Sequence, residues 1–158
     1  TSGITQDHIP TLAKRAKSLL VQPIPNDNYR SILKHSFAGV PDGARDYQFQ
    51  FGTELVPSRK ADLKRYSLTP ARPEPLHMTE IQKALINIGK PVMNLQKIQE
   101  HFLIARAFNR YGQTTDLSDE TISLRVDYDS GAEQKVFNNY VYKLARIMIK
   151  RGIVSVDS

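Results

Sequence analysis

Apolar residues recur three or four positions apart through much of the chain, which is the spacing of one buried face of an α-helix. In residues 8–21, for example, Ile9, Leu12 and Leu19 follow this spacing, and Pro23 blocks continuation of the helix beyond them. The same pattern predicts further helices over residues 26–39, 78–89, 94–112 and 132–150. The last of these helices would bury Phe137, Tyr140, Val141, Leu144 and Met148.

Strict alternation of apolar and polar residues predicts two strands. Tyr47, Phe49 and Phe51 alternate with glutamines, which indicates a strand that is entered from a Pro-Asp-Gly turn. Residues 121–128 alternate in the same way and would point Ile122, Leu124, Val126 and Tyr128 inward. After the first strand, Ser58 is a candidate cap for one or two turns of helix.

Together these elements predict an α+β fold that is mainly helical with a few short antiparallel strands. Three prolines interrupt the middle of the chain and predict an extended linker over residues 67–76. We therefore expect an N-terminal basic region of helix and strand over residues 1–66. A C-terminal helical domain with one strand would occupy residues 77–158.

The composition is that of a folded domain, with 40% of the 158 residues hydrophobic and 24% charged. No apolar run approaches the roughly 18 residues that span a bilayer, so we expect no membrane insertion and a soluble protein, intracellular or within a particle. The first residues lack an initiator Met and the pattern of a secretory signal, which indicates a processed product or a segment of a longer protein. The absence of cysteine excludes disulfides and thiolate metal sites.

The charge balance is basic. The chain has 22 Lys+Arg against 16 Asp+Glu, a formal charge of +6 and a sequence pI of about 9.6. Such a balance favours polyanionic partners, nucleic acid first and an anionic membrane second. The alternative, a basic protein that binds no nucleic acid, stays open because the excess of cations is modest and dispersed.

No catalytic motif stands out. The four histidines fall in separate segments, and the chain has no HExxH, GxSxG or GxxxxGK[ST] pattern. The acidic stretch from Asp127 fails as an EF-hand, because Gly131 comes fifth in that loop and Asn138 twelfth. Glu133 and Lys135 resemble the acid-x-lysine element of metal-dependent nucleases, but a helix dipole alone explains an acidic residue in a first helical turn. We therefore expect a non-enzymatic protein without a cofactor or metal.

The cations of the predicted last helix fall on one face. Lys143, Arg146 and Lys150 recur with Asn139 at helical spacing, and Arg151 extends the row. Lysine and arginine on such a face suit contacts with phosphates, and asparagine suits a base edge. This face is therefore a candidate nucleic-acid-binding site.

Two segments resemble parts of DNA-binding proteins. Residues 81–102 resemble the opening of a helix-turn-helix domain, with a helix, a Gly-Lys-Pro break and an Asn-capped second helix. The closing segment, residues 149–157, resembles the passage from helix to wing in winged-helix proteins. The resemblance implies a winged-helix-like C-terminal half and a DNA-binding regulator. The predicted strand over residues 121–128 departs from that pattern.

A second group of candidate nucleic-acid-binding cations lies in the N-terminal half. Its members are Lys14, Arg15, Lys17, Arg59, Lys60, Lys64 and Arg65. Clustered cations beside Tyr66 and a proline-rich segment suit contacts with the phosphate backbone of RNA or DNA. They also suit docking on an acidic neighbour or a solvated charged helix.

Three functions fit these patterns. The first is a basic component of a nucleoprotein or virion-like assembly that binds nucleic-acid backbone. The second is a structural assembly subunit that contacts protein partners or further copies of itself without nucleic acid. The prolines favour it, as do the aromatic residues Tyr47, Phe49 and Phe51, which we expect to be partly exposed. The third is a winged-helix regulator, and an enzyme with an unrecognised site remains a further alternative.

Overall fold

The computed structural model describes residues 3–11, 13–29, 43–64, 74–109, 113–130, 135–150 and 153–157. Strands hold 52% of the described residues and helices hold 18%, so the protein is mostly β-sheet. The prediction of a mainly helical α+β fold is therefore wrong.

Nine strands and three helices make up the described part of the chain. The strands are β1 (Gly3–Ile9), β2 (Ala16–Pro25), β3 (Ala44–Phe51), β4 (Glu54–Asp62), β5 (Ile104–Ala107), β6 (Ile122–Tyr128), β7 (Lys135–Lys143), β8 (Arg146–Lys150) and β9 (Ile153–Asp157). The helices are α1 (Asn26–Tyr29), α2 (Pro75–Asn87) and α3 (Leu95–Glu100). None of these helices is both long enough and apolar enough to cross a membrane.

The strands form three antiparallel sheets. One sheet has the strand order β1-β6-β3-β4, a second has the order β5-β2-β7, and β8 pairs only with β9 among the described strands. In the first sheet Ala44 lies opposite Tyr128, and in the second Ala16 lies opposite Lys143. Among the described strands, β1 and β4 are the edges of the first sheet, and β5 and β7 are the edges of the second.

The two larger sheets share one hydrophobic core. Tyr47 and Phe49 of β3 are fully buried in it, with ring centroids 6.0 Å apart and ring planes 80° apart. The expectation that these aromatic residues are partly exposed is wrong for both, while Phe51 is half-buried. The strand predicted at residues 121–128 is confirmed as β6, and its buried residues include Ile122, Leu124, Val126 and Tyr128.

β2 is the central strand of the three-stranded sheet and is buried along almost its whole length. Leu19 is 0% exposed and Ile24 is 1% exposed. The hydroxyl of Ser18 donates to the carbonyl oxygen of Ala84 in α2 at 3.0 Å, because α2 packs over β2 and β5. A short apolar run by itself does not distinguish a helix from a buried strand. In this protein the run is a strand, because it pairs with β5 on one side and β7 on the other. The helix predicted over residues 8–21 is therefore wrong.

Several local predictions are confirmed. α2 forms where the pattern predicts it, and Gly89 follows with a φ of +70°, the left-handed conformation that commonly ends helices. Asn94 caps α3, since its side-chain oxygen accepts a hydrogen bond from the N–H of Lys97 at 2.9 Å. α3 ends at Glu100, however, and β5 follows where the pattern predicted more helix.

The helix predicted over residues 132–150 is wrong. β7 and β8 occupy the described residues of this segment, and β7 pairs with β2. Valine, tyrosine and phenylalanine are frequent in β7, and residues of these types favour strands. The predicted winged-helix-like C-terminal half is wrong with it, because the segment that would supply the recognition helix is β-structure. The helical turn predicted after Ser58 is likewise replaced by strand β4.

Strands from both sides of the predicted linker share a sheet, since β1 and β3 both pair with β6. α1 lies at the start of the helix predicted over residues 26–39, and residues 30–42 lie outside the described residues. Residues 65–73, which include most of the predicted linker, also lie outside them. The division into residues 1–66 and 77–158 therefore stays a prediction.

Candidate assembly surface

Exposed apolar side chains are concentrated in one hairpin, which we call the C-terminal arm and define as residues 143–157. In this hairpin, β8 and β9 run antiparallel, with Arg146 opposite Asp157 and Lys150 opposite Ile153. Neither strand joins another sheet, and no other described element packs extensively against them. Within the described part of the chain, the arm therefore stands apart from the core.

Six large hydrophobic side chains of the arm are exposed, which is half of the twelve found among the described residues. The exposed fractions are highest for Ile153 (72%), Ile147 (66%), Val154 (62%) and Val156 (62%). On soluble monomers, single exposed apolar residues are normal, whereas a contiguous apolar patch marks an interaction site. The exposed apolar side chains of the arm form such a contiguous patch.

The register of the hairpin places apolar side chains together. Ile147 lies opposite Val156, and Val154 shares the face of Val156 because side chains alternate along a strand. On the other face, Met148 lies opposite Ser155. One face of the arm is thus aliphatic and the other is mixed, as in a strand pair that is covered on one side.

The arm joins the body beside a group of cations. The N–H of Leu144 donates to the carbonyl oxygen of Arg15 at 2.9 Å, and Lys143 pairs with the first residue of β2. Lys14 and Arg15 form the turn that precedes β2. The structure therefore brings the turn of Lys14 and Arg15 to Lys143 and Leu144, which are remote from it in the sequence, and Arg146 follows two residues after this contact.

A second feature, which we call the acidic groove, lies between the β3–β4 hairpin and β5. Its volume is about 260 Å³. The apolar residues that line it are Phe51, Val56, Phe108 and Leu117. The rings of Phe51 and Phe108 meet edge to face with centroids 5.7 Å apart and so connect the two larger sheets. Three exposed carboxylates, those of Glu54, Asp116 and Glu120, also line the groove, together with Arg106 and Thr115.

Hydrogen bonds hold one of these carboxylates, that of Asp116, in place. Asp116 accepts hydrogen bonds from the hydroxyl and the N–H of Ser118 at 2.6 and 2.9 Å. These bonds, with a smaller contribution from the charge of Lys14, hold the pKa of Asp116 below its usual range. Glu120 lies beside the β3–β4 turn, where a Cβ on Gly52 would meet its Oε2 at 3.5 Å. The groove therefore presents three carboxylates and one arginine above an apolar floor, and the carboxylate of Asp116 is held by hydrogen bonds.

Arg106, which lines the acidic groove, forms an ion pair with a buried glutamate. The side chain of Glu80 in α2 is 4% exposed and is bound by the guanidinium of Arg106 in β5. Arg106 and Phe108 also line an adjoining cavity of about 440 Å³, where Lys83 lies 4.0 Å from Glu80. The pair holds α2 against the edge strand β5.

His77 is a core residue of α2. Its Nδ1 lies 2.9 Å from the hydroxyl of Tyr47, and its ring stacks on Phe102 with centroids 5.2 Å apart. Burial lowers the pKa of His77 to about 3, so the ring is neutral at neutral pH. A neutral histidine enclosed by aromatic rings suits packing and structure.

Ion pairs occupy two of the cations predicted to bind nucleic acid. Arg59 binds the buried carboxylate of Glu74 at 2.7 Å, and Lys60 lies between Asp46, at 3.1 Å, and Asp127. The hydrogen bond from Lys60 lowers the pKa of Asp127, whereas burial raises the pKa of Asp46. Both cations therefore stabilise the four-stranded sheet and its junction with α2.

The other predicted cations are dispersed. Lys17 donates to the carbonyl oxygen of Asn87 at 3.3 Å, and Asn139 donates to Asp7 at 2.8 Å. Lys64 is exposed. Lys150 lies in β8, and Arg65 and Arg151 lie outside the described residues. Since β7 and β8 are strands, residues 139, 143, 146 and 150 do not form the helical row that the sequence predicted.

The apolar residues of the arm were missed because residues 132–150 match a helical pattern. A period of two was also present, since Ile147 and Ile149 alternate with Arg146, Met148 and Lys150. The β-branched run after the Arg-Gly pair at 151–152 completes a hairpin signal. The acidic groove gave no such signal, because its residues come from three separate segments.

Comparison with known proteins gives no family for this chain. No family model, no curated protein and no solved structure matches it. Its function is therefore inferred from its own residues and their geometry.

Proposed function

We propose that this protein is a non-enzymatic structural subunit that assembles with further copies of itself through the C-terminal arm. The observation that supports the proposal is the aliphatic face of the hairpin. Ile147, Val154 and Val156 on this face are 62–66% exposed and lie outside the core. A contiguous exposed apolar face of this kind is a contact surface for another protein chain.

The energetics of a hairpin favour a covered state. A two-stranded hairpin on its own is marginally stable in water and needs a further strand or a packed layer. Full burial of one valine or isoleucine side chain contributes about 1.5–3 kcal/mol. Three such side chains on one face therefore offer several kcal/mol to whatever covers them, less the cost of association. A neighbouring subunit provides that cover.

The charges of the chain favour a second copy as the neighbour. Residues 143–157 contain four Lys or Arg and one Asp, so the arm is basic. The body of the same chain carries the acidic groove, with three exposed carboxylates around an apolar floor. The chain therefore contains both members of a complementary pair of surfaces.

Sedimentation velocity over a series of protein concentrations tests the proposal. The wild type should gain mass as concentration rises, and Val154→Ser with Val156→Ser should remain monomeric at the same concentrations. Val92→Ser is the matched control, since Val92 is 50% exposed and lies outside the arm. Circular dichroism checks that each variant is folded. A wild type that stays monomeric, or a double variant that assembles like the wild type, would overturn the proposal.

A second candidate function is contact with nucleic-acid backbone. The approach of the turn of Lys14 and Arg15 to Lys143 at the base of the arm, with Arg146 following in the chain, favours it. Fluorescence anisotropy with labelled single-stranded RNA, titrated at several salt concentrations, measures it. Lys143→Glu with Arg146→Glu should weaken binding and flatten its dependence on salt, because fewer counterions are released. Affinity that is unchanged in this double variant would contradict the role.

A further inference from the structure

We infer that the acidic groove is the binding site for the C-terminal arm of a second copy. The inference rests on the proposed function and adds the receiving surface. The two copies would then meet through different surfaces, with the arm of one copy in the groove of the next. The alternative within the same function is packing of two arms against each other.

The lining of the groove matches the aliphatic face of the arm. Phe51 and Phe108 form an edge-to-face pair on its floor, and Val56 and Leu117 extend that floor. A volume of about 260 Å³ accommodates a few aliphatic side chains and not a whole hairpin. The arm would thus lie across the groove with its valines and isoleucine inserted, as in the apolar centre of a protein interface.

The backbone beside the groove is also open to a new strand. β4 is an edge strand, and beyond β3 it has no strand partner in the described structure. Pro57 has no N–H and so interrupts the row of backbone donors along β4 after the stretch from Glu54 to Val56. That stretch lines the groove. Strand addition there would be short, and side-chain packing would supply most of the contact.

Charge selects the groove over the other open surfaces. Packing of one arm on another would bring two basic hairpins together, whereas the groove places a basic hairpin beside three carboxylates. Arg146 lies on the face of β8 opposite Ile147, so its attraction to these carboxylates acts across the hairpin and not by direct contact. A cavity of about 430 Å³ between β1 and β7 is an alternative binding site for the arm, and its lining includes Tyr29 and Tyr140. The described residues of its lining carry no charge and so offer no complement to a basic arm.

Charge reversal in separate copies tests the inference. One variant reverses the arm, with Lys143→Glu and Arg146→Glu, and the other reverses the groove, with Glu54→Lys and Glu120→Lys. Each variant alone should assemble about tenfold more weakly or worse, because arm and groove then carry like charges. An equimolar mixture should recover assembly, because each arm then finds a groove of opposite charge. Asp27→Lys is the control, since Asp27 is exposed and lies outside the groove.

The outcomes separate the inference from the proposed function. Loss of assembly on changing Val154 and Val156, together with wild-type assembly of the reversed groove, would overturn the groove and leave the function intact. A monomeric wild type would overturn both. Added salt should weaken assembly through the groove, whereas it would strengthen packing of two basic arms. Dissociation of the wild-type assembly by nuclease would show bridging by nucleic acid and would also overturn the inference.

Discussion

Replacing His77 by phenylalanine should remove much of the acid sensitivity of the fold. His77 lies in the core against Tyr47 and Phe102, and burial lowers its pKa from 6.5 to about 3. In the unfolded chain the same ring takes up a proton near pH 6.5. Between these two values the unfolded state therefore binds more protons than the folded state.

The sign and size of the effect follow from this difference in proton binding. The contribution of His77 to stability is fully present above about pH 6.5 and falls as pH decreases towards 3. Between about pH 7.5 and about pH 5 the loss amounts to about 2 kcal/mol of the free energy of unfolding. Other groups that titrate in this range are shared by wild type and variant, so the difference between the two isolates His77.

Urea unfolding followed by circular dichroism at the two pH values measures this loss. His77→Phe should be less stable than the wild type at neutral pH, because the hydrogen bond with Tyr47 is removed. Between about pH 7.5 and about pH 5, the variant should lose about 2 kcal/mol less of its free energy of unfolding than the wild type loses. Equal losses in the two proteins would refute the reasoning and show that His77 is not held neutral in the core.

Two further predictions concern the ion pairs of the body. Glu80→Ala should lower the free energy of unfolding by about 2–3 kcal/mol, since it leaves Arg106, whose side chain is 25% exposed, without its carboxylate. Urea unfolding measures the change, and adding Arg106→Leu should restore part of it; a loss that grows instead would contradict the pairing. Lys60→Met should raise the pKa of Asp127, because the hydrogen bond that lowers it is lost. NMR titration of the carboxylate reads this shift, and an unchanged pKa would exclude the bond.

Local signals in the sequence predicted those elements whose causes are local. Asn94 caps α3 and Gly89 follows α2 because capping depends on a few neighbouring residues. The clean alternation of Ile122 to Tyr128 predicted β6 and its buried face, since one side of that strand packs on the core. These features would hold in many surroundings, and for that reason a single sequence reveals them.

The elements that the sequence mispredicted depend on partners far away in the chain. β2 pairs with β7, whose residues follow it by more than a hundred positions, and each segment alone fits a helical period. A helix there would satisfy the apolar spacing, but the sheet buries β2 on both sides and supplies its hydrogen bonds. With strands in place of a helix, Lys143, Arg146 and Lys150 no longer line one face. Arg146 and Lys150 are instead the first and last residues of β8.

The acidic groove lay beyond prediction for the same reason. Phe51 and Glu54 belong to one hairpin, Phe108 follows β5, and Asp116 and Glu120 precede β6. Only the pairing of β3 with β6 and of β5 with β2 brings these segments to one place. The arm, in contrast, was open to prediction, because its alternation and its Arg-Gly connection are contiguous in the sequence.

Cross-linking between distinguishable copies tests the central claim most directly. A photo-reactive side chain in place of Ile147 would be introduced into isotopically light protein, which is then mixed with heavy protein and irradiated. Mass spectrometry of the cross-linked peptides should show links from position 147 of the light copy to residues 51–56 or 115–120 of the heavy copy. Links confined to a single copy, or none at all under conditions where the wild type assembles, would contradict the claim that the arm joins one subunit to the next.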